Sequence, residues 1–154
     1  MKLAKISLAA AVFMLPASIA SAGDVVPPDE VMYEDFTVEA SLSGASGNPD
    51  NGAEIFKNRK LGNCLACHIN SAMQEELFHG TVGPSLDDVG SRWEPAQLRA
   101  IVADAKEMFG EQTVMPGFYS LSVGVNVAED RVGKTILRAQ QVEDVVAYLA
   151  TLKE

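Results

Sequence analysis

The stretch Cys64-Leu65-Ala66-Cys67-His68 decides how the rest of the chain is read. Cys-x-x-Cys-His is the spacing of covalent haem attachment. The two sulfurs are set apart to reach the two vinyl groups on one edge of a porphyrin, and the next residue places an imidazole under the iron. Two other readings of the cysteine pair are weaker. A thioredoxin-like redox pair needs a βαβ setting, and no such pattern surrounds it. A structural zinc ion needs four ligands. Cys64, Cys67, His68 and His79 would have to be all of them, because the chain has only two cysteines and two histidines.

Export agrees with the haem reading. Lys2 and Lys5 precede an apolar run, Ile6 to Ala20, which ends at Ala20-Ser21-Ala22. This is the form of a cleavable signal peptide, residues 1–22. The run falls short of the ~20 apolar residues of a membrane span, so no membrane anchor is expected. The compartment is then oxidising, a bacterial periplasm, where two exported cysteines must be paired, bonded to a cofactor or ligated to a metal.

The 154-residue chain has room for one ordinary domain. Twelve Lys+Arg against 21 Asp+Glu give a net charge of −9, which becomes −11 once Lys2 and Lys5 leave. Nucleic acid is excluded as a partner, since nothing here neutralises phosphates. An acidic surface favours partners that present positive patches.

Residues 23–46 read as an N-terminal arm that ends in the linker chemistry of Ser43-Gly44-Ala45-Ser46-Gly47-Asn48-Pro49. It is either a solvated terminus or an extended segment lying on this domain or on a partner. Tyr33, Phe36, Val38 and Leu42 argue for the second. The domain itself, residues 47–154, reads as all-α. A short helix spans Asp50 to Lys57, capped by Asn48 or Asp50. A second runs from Pro95 to Met108, with Leu98, Ile101, Val102, Ala105 and Met108 at helical spacing and Gly110 as its stop. The last carries the stripe Val142, Val145, Val146, Leu149 and Leu152. Val123 to Val127 carries a weak signal for brief strand pairing. So few short helices make a small core, and a buried haem would supply the missing apolar volume.

The second axial ligand has several candidates. Met108 continues an apolar stripe, Met32 lies in the arm, Met73 is too close behind His68, and His79 reads as a surface histidine. Met115 is favoured: it precedes Pro116, which biases it to an extended conformation, in a loop 47 residues beyond His68. With His68 and Met115 both bound, the iron exchanges electrons and has no open position. Ala128 to Thr135 misses a phosphate-binding loop, lacking its first glycine and a leading strand. Arg92 and Trp93 are either partners for haem propionates or a solvated arginine beside a core tryptophan.

From Gly47 onward the pattern resembles the class I c-type cytochromes. Gly52 and Phe56, facing Val145, Tyr148 and Leu149, resemble that fold's helix crossing, and Gly83-Pro84-Ser85-Leu86 resembles its proximal loop. The resemblance implies short helices wrapped around one covalently bound haem c, and a Pro84 carbonyl that accepts a hydrogen bond from His68. The chain is more closely similar to the SoxX family, the mono-haem subunits of SoxAX cytochrome complexes. The matching residues are Gly62 to His68, Gly83 to Leu86, Arg92, Leu98-Arg99, Val102 to Asp104, Thr113 to Pro116, Phe118-Tyr119, Ile136-Leu137 and Ala139 to Leu149. Phe109 to Gln112 and Arg138 depart from the family pattern.

That resemblance implies a heterodimer with the larger haem subunit SoxA. The complex couples thiosulfate oxidatively to a cysteine of the carrier pair SoxYZ. This chain would take the released electrons to an acceptor c-type cytochrome and supply no bond-making residue itself. A free-standing electron shuttle is the alternative, and a ligand-binding haem sensor is a third possibility.

Overall fold

The computed structural model describes residues 24–122 and 124–153; the signal-peptide reading of residues 1–22 lies outside them. Among the described residues five α-helices are formed: α1 (Pro49–Lys57), α2 (Val89–Arg92), α3 (Pro95–Ala103), α4 (Ala105–Phe109) and α5 (Ala139–Leu149). Single 3₁₀ turns occupy Pro28–Glu30, Cys64–Ala66, Ser71–Met73 and Glu129–Arg131. Among the described residues there is no strand at 124–127, and the one β-bridge joins Glu34 to Thr37.

The central packing is α1 across α5. Asn48 caps α1 by accepting from the Asn51 N–H at 3.0 Å, and Pro49 supplies the pre-set first turn. Gly52 lets the two backbones meet: a Cβ there would strike the Asp144 carbonyl of α5 and stand 2.8 Å from the Tyr148 Cβ. One turn on, Phe56 meets Tyr148 edge to face, with ring centroids 5.4 Å apart. The buried Asp144 carboxylate accepts from the Asn48 N–H at 2.8 Å and from Gln140 at 2.9 Å, which ties the start of α1 to α5.

The stripe from Pro95 to Met108 is two helices and not one. Asp104 leaves the helical region (φ −152°, ψ 102°), and its side chain accepts from the Lys106 N–H, starting α4 anew. An aspartate that caps wins over a continuing apolar period. Gly110 ends α4 at φ +90°. Helix α5 begins at Ala139, earlier than its apolar stripe. Gln141 accepts from the Arg138 N–H at 2.9 Å and so caps the helix without a Ser or Thr. Leu152 lies past its end but stays buried.

The arm lies on the domain. Val38 and Leu42 are core residues, 3% and 0% exposed, whereas Phe36 stays exposed. Val38 donates its N–H to Ala96 O at 3.0 Å. Its carbonyl accepts from Arg99 Nη1 at 2.7 Å, and the Leu42 N–H donates to Glu143 Oε1 at 2.8 Å. Arg99 and Glu143 also pair with each other, Nε to Oε1 2.9 Å, with side chains only 12% and 4% exposed. A guanidinium on α3 and a carboxylate on α5 thus satisfy one another and two backbone groups of the arm, as a buried ion pair must.

Candidate haem site

The Cys64–Ala66 turn follows α1 after a tight reversal. The Asn58 carbonyl accepts from Leu61 and Asn63, the Ile55 carbonyl accepts from Gly62, and Asn63 turns left-handed at φ +50°. The Cys64 carbonyl then accepts from both the Cys67 and His68 N–H groups, at 3.1 and 3.0 Å. This winding brings Cys64, Cys67 and His68 onto one turn. The two cysteines are free thiols, not bonded to each other. Burial pushes the Cys64 thiol up to about 12.

His68 is fixed from behind. Its Nδ1 lies 2.7 Å from the Pro84 carbonyl oxygen. A carbonyl only accepts, so Nδ1 carries the proton and Nε2 keeps its lone pair, the tautomer a metal ligand needs. Gly83 lies flat against the ring. A Cβ there would stand 2.7 Å from Nδ1, 2.8 Å from Nε2, and closer still to Cε1. The Gly83 N–H donates to the Cys67 carbonyl at 2.8 Å, and the Gly80 N–H to Leu65 O at 2.7 Å, so the 80–84 segment is stitched along the attachment turn.

Two further contacts hold that segment. Arg92 donates through Nη2 to Ser85 O at 2.7 Å and pairs with Asp88 at 3.2 Å. Asp87 accepts from the Ser71 N–H at 2.6 Å and from the Ser71 and Ser85 hydroxyls at 3.1 and 2.9 Å. The Ser71 N–H and the Ser85 hydroxyl hold its carboxyl below the usual range. Gly83 and Ser85 entered the sequence reading only as part of the proximal-loop resemblance, with no role of their own, and Asp87 was missed; the turn chemistry of 83–87 was its only signal. Trp93 packs edge to face on Phe109 at 6.2 Å.

Of the other candidate ligands, Met73 and Met108 are core residues and Met32 is exposed in the arm. His79 has both ring nitrogens committed: Nδ1 accepts from the Asn70 N–H at 3.4 Å, and Nε2 donates to Met73 O at 3.1 Å. Among the described residues no three His, Cys, Asp or Glu side chains converge as a metal cluster. Met115 is half-buried against the core, in the loop between α4 and α5.

The residues fit a haem c. The attachment turn presents two free sulfurs, and the His68 tautomer is set by Pro84. Apolar side chains also stand on open surface beside the 83–84 turn and beside Met115: Val82, next to Gly83, is 68% exposed and Val114, next to Met115, is 78% exposed. A flat apolar ring system suits such side chains. A surface cavity of about 340 Å³ on the 124–136 loop, bordered by Arg131, Lys134 and Ile136, includes none of the attachment residues.

A helical domain that presents Cys-x-x-Cys-His with a proline carbonyl on the imidazole defines a c-type cytochrome. The chain belongs to the cytochrome c family, whose model matches residues 49–153, and carries a covalently bound haem c. Within that family it is SoxX-like. It is similar to a chain in the crystal structure of SoxXA from P. pantotrophus, at 50% sequence identity, covering 83% of this chain and 98% of that one, with a TM-score of 0.76. It is also similar to ferric cytochrome c-550 from Paracoccus versutus at 20% identity, covering 71% of this chain and 100% of that one, with a TM-score of 0.41. No curated protein matches the sequence. No helix among the described residues is long and apolar enough to cross a membrane.

Proposed function

We propose that this SoxX-like cytochrome is the electron-transfer subunit of a heterodimer with a larger haem subunit, SoxA, in a periplasmic thiosulfate-oxidising enzyme. The observation that supports this is the 50% identity to a SoxXA chain across 98% of its length. In the reaction, a carrier cysteine of SoxYZ loses its thiol proton, a sulfur–sulfur bond forms to thiosulfate, and two electrons leave. When bound, haem c supplies a one-electron ferric/ferrous couple, so the two electrons are accepted singly and passed to an acceptor c-type cytochrome.

This chain's residues hold and tune that couple. Cys64 and Cys67 anchor the group through thioethers. His68, its basicity raised by the Pro84 carbonyl, and Met115 would be the two protein ligands of the iron. Thioether ligation favours the ferrous state relative to two imidazoles. With His68 and Met115 both bound, the iron would offer substrates no open position, and the bond-making cysteine would belong to the partner. Residues 1–22 direct export and are removed, residues 23–46 form the arm, and residues 47–154 form the haem domain. The test is purification of the untagged protein from its native host. Recovery with a second, larger haem protein in equal amount is expected; recovery of this chain alone contradicts the subunit reading.

A further inference from the structure

The loop that carries Met115 is held at both ends by side chains whose partners are backbone carbonyls. On its leading side, Lys106 of α4 reaches over with one ammonium and donates to Glu111 O at 2.8 Å and Thr113 O at 3.0 Å. The Thr113 hydroxyl in turn donates to Gly110 O at 2.6 Å. On its trailing side, the N–H groups of Phe118 and Tyr119 donate to the Val102 and Ala103 carbonyls at the end of α3, at 3.2 and 3.0 Å. Tyr119 is 5% exposed, and its hydroxyl donates to Val26 O of the arm at 2.7 Å. Val26 is itself tied to Leu42 O at 2.9 Å.

The break between α3 and α4 sets this up. The buried Asp104 starts α4 by capping Lys106, and its carboxylate also lies under Gly117, where a Cβ would stand 2.8 Å from Oδ2. One residue therefore aims the ammonium at one half of the loop and floors the other half. Every side-chain hydrogen bond from Lys106 and Tyr119 ends on main chain, so the clasp constrains the path of residues 111–119 through the backbone.

We infer that Lys106 and the Tyr119–Val26 bond form a clasp that positions Met115 at the distal face of the haem, which makes the N-terminal arm part of the distal ligand's support. Lys106 and Tyr119 are positioning residues; neither is a ligand. The inference rests on the reading of Met115 as that ligand. A clasped loop keeps the population with methionine detached small. An added ligand that needs the vacated position then binds more weakly by that same fraction.

The test is imidazole binding to the ferric holoprotein, followed by the shift of the Soret band. In Met115→Ala imidazole binds far more tightly than in the wild type. In Tyr119→Phe, which loses one neutral hydrogen bond and no volume in the ring, binding tightens about fivefold; in Lys106→Ala, which loses two charge-assisted ones, about tenfold or more. Lys106→Arg restores wild-type affinity, because a guanidinium also serves two carbonyls. If the wild type binds imidazole as tightly as Met115→Ala, the ligand assignment fails. If those two differ while Tyr119→Phe and Lys106→Ala match the wild type, the clasp fails and the ligand assignment stands. Weaker imidazole binding in Lys106→Ala also overturns the clasp.

Discussion

Gly83→Ala tests the proximal side of the site most sharply. The new Cβ would stand 2.7 and 2.8 Å from the two ring nitrogens of His68, where ordinary contact begins near 3.4 Å. Because Cε1 is nearer still, ring and backbone must part by about 1 Å. Neither side yields easily. The Gly83 N–H is bonded to Cys67 O at 2.8 Å, and the imidazole is held on Pro84 O at 2.7 Å. Overpacking of this kind costs about 1–3 kcal/mol, and loss of the Nδ1–H···O bond adds about 1 kcal/mol. The holoprotein should lose roughly 2–4 kcal/mol and melt roughly 6–15 °C lower. An imidazole without its carbonyl is a weaker donor and stabilises ferric iron less. A loss of about 1 kcal/mol in that preference raises the one-electron potential by about 40 mV. Thermal melting by circular dichroism and a spectroelectrochemical titration measure both. A variant that melts and titrates like the wild type refutes the reasoning about His68.

Three other perturbations follow from the same geometry. Arg99→Ala leaves the buried Glu143 carboxylate without its cation and the Val38 carbonyl without a donor, so urea unfolding should show a loss of about 3–5 kcal/mol; a loss under 1 kcal/mol would mean that water replaces the guanidinium. Asp87 has its folded-state pKa depressed by the Ser71 N–H and the Ser85 hydroxyl, so its contribution is full above the ordinary value of 3.8 and is lost as pH falls below it. The acid limb of the wild-type stability profile should therefore be steeper there than that of Asp87→Ala, and superimposable limbs would contradict this. In Met115→Ala the reduced protein should bind carbon monoxide and its potential should fall. A variant that still refuses carbon monoxide places the distal ligand elsewhere.

The parts of the molecule readable from sequence are those where a local pattern carries the physics. Cys64 to His68 pack the attachment chemistry into five residues, and the apolar stripe from Val142 onward marks α5. Gly52 and Phe56 could be set against Tyr148 only through the resemblance to the class I c-type cytochromes. The break at Asp104 was hidden, because the apolar period runs through it and a capping aspartate looks like any polar residue on a helix surface. The arm's course was equally hidden. Val38 and Leu42 are secured by Arg99 and Glu143, which lie 61 and 101 residues away along the chain, and residues 24–46 have no period of their own. Removing the arm would strip two core side chains from the domain. Lys106 left no trace in the pattern, because its acceptors are main-chain carbonyls.

The most direct test of the account is the absorption spectrum of the ferric protein, purified after export with its haem attached. A low-spin haem c is expected that also carries the weak long-wavelength charge-transfer band of methionine sulfur on ferric iron. Colourless protein, or a haem spectrum without that band, would contradict it.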